Sequence, residues 1–144
     1  MNLVEVAASY LRQAEPRLKD AKDAMEEGRL PYALRLSQEC LELSLKASLK
    51  LVGIEYPKKH DVSEVLLRVG TRFPDWFASA VPALAEASLA LAERRAISMY
   101  GDEERGLSPE AIISREEVAE AWQWARKAFK AGRRLLEETS SPRA

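Results

Sequence analysis

Apolar residues recur at helical spacing along most of this chain, and that period constrains the fold more than any other feature. Val4, Ala7, Ala8, Leu11, Ala14, Leu18, Ala21 and Met25 fall three or four apart with a single exception, forming a stripe along one helix face. The stripe keeps its phase across Pro16, which predicts one kinked helix or two coaxial pieces, not a loop. Asn2 and Glu5 suit its amino-terminal cap, and Gly28 suits its end.

Pro31 fits the first turn of a second helix running to about Val52. Its Leu34, Leu36, Leu41, Leu43, Leu45, Leu49, Leu51 and Val52 point nearly all round, the pattern of a central helix covered on most sides. Gly53 stops it, and residues 54–60 read as a loop. Asp61 and Glu64 suit the cap of a short helix ending at Gly70. A further helical stretch starts at Phe73, and Pro82 either bends it or marks the true start of a long helix reaching Tyr100. After the charged loop 101–106, Ser108-Pro109 suits a one-turn helix. Ser114 and Glu117 form a capping box for the last helix, with Val118, Ala121, Trp122, Ala125, Phe129 and Leu136 as its inner stripe. Its glutamates come first and its Arg126, Lys127, Lys130, Arg133 and Arg134 toward the end, the order that the helix dipole favours. The expectation is an all-α antiparallel bundle of four long helices with one short additional helix, a single domain over 1–144 with its core at about 3–136.

Composition narrows the chemistry. At 144 residues the chain buries about 70 % of its unfolded surface as one domain, without disulfide or structural metal. Its formal charge of −1 gives no overall pull on polyanions or anionic membranes, so such binding needs a local basic patch. Cys40 and His60, each the only one of its kind, exclude an intramolecular disulfide framework and a cysteine/histidine zinc cluster within one chain. The start at Met1 lacks the basic head and apolar stretch of a signal peptide, and no apolar run reaches the ~20 residues of a membrane span. A soluble, cytoplasmic protein is expected. One Asn and three Gln beside 31 % charged residues lean toward a heat-adapted source.

Three groups of residues stand out. Gln38, Glu42 and Lys46 stack at intervals of four on an otherwise apolar helix, either as an ion pair at a solvated edge or as a polar cleft. His60, after Lys58 and Lys59, either orients its loop or carries protons, for which an imidazole's unperturbed pKa near 6.5 is suited. Arg94 and Arg95, with Arg105 beyond, either favour the helix carboxyl end or bind phosphate beside Tyr100. The basic run of the last helix reads as a solvated face.

Pro31-Tyr32-Ala33, the run Gln38 to Ala47, and Gly53-Ile54-Glu55-Tyr56-Pro57-Lys58-Lys59-His60-Asp61 together resemble the HEPN family, the "higher eukaryote and prokaryote nucleotide-binding" domain. The Tyr100-Gly101-Asp102 turn is similar to the family's aromatic-Pro/Gly-acidic turn. The resemblance implies a helical bundle, usually a homodimer, in a prokaryotic setting. There it acts with a minimal nucleotidyltransferase, often as a toxin–antitoxin pair, and without a cofactor. With the residue reading above, the expectation is that Arg94, Arg95, Tyr100 and Lys46 line one cleft that binds nucleotide or RNA phosphate, with Gln38, Glu42 and His60 as candidates for a polar cleft. Catalytic members are metal-independent ribonucleases using Arg, four to six residues, then His. Counted from Arg94 or Arg95 that window holds Met99, Tyr100 and Gly101, and no histidine. The expectation is a non-catalytic binding protein; the alternatives are a protein–protein interaction module and a degenerate ribonuclease.

Overall fold

The structure, a computed structural model, describes residues 2–140; residues 1 and 141–144, at the two ends of the expected domain, lie outside the described residues. Four long helices carry the bundle: α1 (Leu3–Glu26), α2 (Leu30–Leu51), α5 (Val81–Tyr100) and α7 (Arg115–Ser140). Between α2 and α5 lie the short α3 (Ser63–Arg68), a 3-10 turn over Gly70–Arg72 and α4 (Asp75–Ala78); α6 (Pro109–Ile112) precedes α7. The short additional helix after α2 thus has two single-turn companions. No strand occurs among the described residues, only an isolated bridge between Asp102 and Leu107.

The helix signals act where their chemistry places them. The Asn2 side chain accepts from the Glu5 N–H at 3.1 Å, and α1 runs unbroken through Pro16. That proline is exposed, on the side where water replaces a lost backbone hydrogen bond. Pro82 sits in the first turn of α5, so it marks the start of the long helix. The box at α7 is half formed. Ser114 Oγ accepts from the Glu117 N–H at 3.1 Å, but the Glu117 carboxylate turns away to Arg94. Helix α7 also continues past Leu136 to Ser140, which leaves no basic residue in its last turn. Its arginines serve other ends: Arg133 reaches Glu15, and Arg134 stacks on Trp76 and bonds Glu138.

Helix α2 is central, packed against α1, α5 and α7. Its Leu34, Leu41, Leu45 and Leu49 are buried alongside small polar residues, Ser37, Ser44 and Ser48. On α7 the buried Ala121, Ala125, Ala128 and Gly132 are equally small, and Ser44 and Ser48 lie against Gly132, so α2 and α7 pack closely. The Cys40 thiol points at the Ala125 carbonyl, 3.9 Å away, and burial pushes its pKa up to about 12. A Cβ on Gly132 would stand 3.0 Å from Leu11 Cδ2 and 3.4 Å from the Ser44 carbonyl. Three long helices therefore converge on one missing side chain.

Gly101 ends α5 at φ 71°, ψ −152°, a conformation closed to L side chains, and a Cβ there would collide with the Leu107 carbonyl. Gly53, at φ 74°, faces open space. Thermal or urea unfolding separates the two. Gly101→Ala is expected to lose about 3 kcal/mol or more, and Gly53→Ala only about 1 kcal/mol.

Candidate functional site

The amphipathic period of α2 fails at Gln38, which is only 2 % exposed. A buried amide requires partners on both its ends. Its Nε2 donates to Glu42 Oε1 at 2.8 Å, and its Oε1 accepts from Arg95 Nη1 at 2.7 Å. The same Arg95 nitrogen reaches Glu39 Oε2 at 3.1 Å, and Arg17 Nε holds the other Glu39 oxygen at 2.9 Å. On the far side Glu42 accepts from Lys46 Nζ at 2.8 Å and bonds His60 Nδ1 at 2.7 Å. One hydrogen-bonded chain therefore runs Arg17, Glu39, Arg95, Gln38, Glu42, and forks to Lys46 and His60.

Glu42 and Lys46 are 17 % and 14 % exposed, so they form a polar seam and not a pair at a solvated edge. Burial pushes the Glu42 carboxyl up. Hydrogen bonds from Lys46, Gln38 and His60, with the Lys46 charge, outweigh burial and hold it below its ordinary value of 4.5.

The seam opens at each end. At one end Arg17, Arg35, Arg95, Tyr32 and Met99 line a groove of about 420 Å³. At the other a groove of about 700 Å³ is lined by Lys46, Lys50, Lys58, Lys59, His60, Tyr56, Tyr10, Leu43, Glu42 and Glu55. Here four lysines face two glutamates. Lys46 and Lys50 lie over the Tyr56 ring at 5.3 and 5.1 Å, and the Tyr56 hydroxyl donates to Tyr10 Oη at 3.1 Å. Burial, with that contact to Tyr10, raises the Tyr56 pKa well above the usual phenol range, so the hydroxyl keeps its proton. Lys58 and Lys59 are exposed and form no salt bridge among the described residues.

The loop is fixed where His60 leaves it. Asp61 accepts from the Ser63 N–H at 2.8 Å and from Ser88 Oγ at 3.0 Å, while Ser88 accepts from the Val62 N–H at 2.9 Å. This ties the loop-to-α3 junction to α5. The expected cap of α3 by Asp61 and Glu64 does not form as such: Val62 is the N-cap and carries no side-chain cap bond, and Asp61, one residue earlier, holds the Ser63 N–H instead.

The two neighbouring arginines part company. Arg94 points toward α7 in a two-pronged pair with Glu117 (Nη2 to Oε2, 2.9 Å) beside an apolar groove of Leu34, Ala87, Leu91 and Trp124. Arg95 enters the seam, Tyr100 stands 61 % exposed on the outer face of α5, and Lys46 lies in the other groove. Arg94, Arg95, Tyr100 and Lys46 therefore do not line one cleft. Arg105, paired loosely with Asp102 at 3.9 Å, belongs to the 101–106 loop. Lys50, Tyr10, Tyr56, Arg17 and Glu39 were not singled out by sequence. Lys50, four after Lys46, was the one legible signal.

An all-α bundle of four long helices, with a polar seam through its central helix and a lysine-rich groove at one end, defines the class of domain. The chain belongs to the HEPN domain family, whose model matches residues 7–135. The fold is similar to the crystal structure of an archaeal HEPN homologue at TM-score 0.69 and 23 % identity, covering 90 % of this chain and 97 % of that one. No curated protein matches the chain. No helix among the described residues is long and apolar enough to cross a membrane, and no cluster of potential metal ligands occurs among them.

Because the folded state holds Glu42 below its ordinary pKa, its contribution is complete above about pH 5 and is lost as pH falls through the folded value. Stability followed by urea unfolding from pH 6 to 3 is expected to fall less steeply in Glu42→Gln than in the wild type. Glu42→Ala, which strands Lys46, is expected to cost about 3 kcal/mol at pH 7.

Proposed function

We propose that this HEPN-domain protein binds the phosphate of a nucleotide or nucleic acid in the lysine-rich groove. On this reading it works as a homodimer beside a minimal nucleotidyltransferase partner, in a toxin–antitoxin-like system, and does not use the arginine–histidine ribonuclease chemistry of the family. The observation that carries the binding site is the charge of the groove: it gathers Lys46, Lys50, Lys58 and Lys59, the first two over the Tyr56 ring, and Lys50, Lys58 and Lys59 form no salt bridge among the described residues. The arginines favoured by sequence are less available. Arg94 is spent on Glu117, and Arg95 on Gln38 and Glu39. A phosphate competing for either must first displace a hydrogen-bonded carboxylate.

A homodimer is favoured by the outer face of α5, where Leu89, Met99 and Tyr100 are 46, 43 and 61 % exposed. Together with exposed Ala90 and Ala96 they give that helix apolar surface on its solvent side, interrupted by exposed Glu86 and Glu93. The same face also suits the reading of the chain as an interaction module, with co-purification of the neighbouring-gene product as its mark.

Calorimetric titration with ATP and with a short RNA is expected to show binding that weakens as salt rises. Lys58→Ala and Lys59→Ala should each reduce the salt slope for RNA by about one, while Arg94→Ala leaves affinity within twofold. Absence of binding to both ligands overturns the ligand reading. Light scattering after gel filtration is expected to report a dimer, and Leu89→Asp combined with Met99→Asp a monomer.

A further inference from the structure

We infer that His60, oriented by Glu42, is a general base for hydrolysis of a phosphodiester held by the lysines of the same groove. This is a catalytic centre built from residues other than the family's arginine–histidine pair. The inference rests on the groove being the phosphate site, and adds to it what happens to the bound phosphate.

The argument begins with the tautomer. An ionised carboxylate only accepts hydrogen bonds, and Glu42 stays ionised with Lys46 Nζ at 2.8 Å. The contact at 2.7 Å therefore places the proton of a neutral His60 on Nδ1 and leaves the lone pair on Nε2. No hydrogen bond among the described residues reaches Nε2, and the side chain is 56 % exposed at the groove. The ring is held at two levels, by Glu42 through Nδ1 and by the Asp61–Ser88 latch through the next residue. A carboxylate that orients an imidazole and stabilises its protonated form is the arrangement that general-base catalysis needs.

The neighbours supply the remaining parts. Lysine ammonium groups balance the charge that grows on phosphorus oxygens in the transition state. Tyr56 keeps its proton and Glu42 is committed to three donors, so neither competes with the imidazole as base. In the step itself a water oxygen bonds to phosphorus while Nε2 takes one of its protons. The bond from phosphorus to the leaving oxygen breaks, and that oxygen takes a proton from a groove ammonium or from water. One diester and one water give one phosphomonoester and one alcohol, and solvent returns each side chain to its starting protonation state.

Thymidine 5′-(4-nitrophenyl) phosphate is the test substrate, because it lacks a 2′-hydroxyl and its hydrolysis must use water. With the full chain, release of 4-nitrophenolate is expected to fall at least about 100-fold in kcat in His60→Ala, with KM within twofold. Added imidazole should restore part of the rate. Glu42→Gln is expected to lower kcat about tenfold and to move the acid limb of the pH profile. Turnover indifferent to His60→Ala, or no turnover by a wild-type protein that binds ATP, overturns the catalytic inference and leaves the binding site standing. Loss of both turnover and ATP binding overturns both.

Discussion

The amide of Gln38 is the constraint around which the polar half of this bundle is arranged. It lies inside the central helix, where an unpaired donor or acceptor costs about 1–3 kcal/mol, so its two ends dictate what stands on either side. Its oxygen requires a donor and receives Arg95; its nitrogen requires an acceptor and receives Glu42. A side chain without net charge thereby sets a cation on one side and an anion on the other. The anion in turn fixes Lys46 and His60.

This arrangement separates two kinds of basic residue. Arginines bind carboxylates with planar, directional geometry, and here Arg17, Arg94 and Arg95 join helices: α1 to α2, α5 to α7, and α5 to α2. Lysines of the 46–59 region are left to the groove, as point charges on flexible stems. The formal charge of −1 hides this division. What counts for a polyanionic ligand is that carboxylates such as Glu39 and Glu117 are held by arginines away from the groove, while Lys46, Lys50, Lys58 and Lys59 gather about one loop.

The long helices and their caps were legible because they depend on local rules. The period of α1, Pro31 and Pro82 in first turns, and Gly53 beyond α2 each act within a turn or two of their own position. The i,i+4 spacing likewise placed Gln38, Glu42 and Lys46 on one face. What spacing did not contain was the sense of the α5 side chains. Arg94 and Arg95 are adjacent, but one residue is 100° on a helix, enough to send one to α7 and the other into the seam. Glu117 fits a capping box by sequence, yet a bidentate arginine across the groove outcompetes its own backbone. The tie between His60 and Glu42, 18 residues apart, arises only when the loop folds back over α2.

Pro16 carries a consequence for motion. Without its N–H the backbone ladder of α1 lacks a rung in the middle, so the segment before it is joined to the segment after it by fewer bonds than in an ordinary helix. Tyr10, which braces Tyr56 at the wall of the lysine groove, lies in that earlier segment. Amide exchange through partial opening therefore has a natural boundary at Pro16, and an excursion of residues 3–15 loosens the groove while Arg17 and the seam stay in place. Tyr10 at the wall of the groove and Arg17 in the seam thereby belong to different units of stability within one helix.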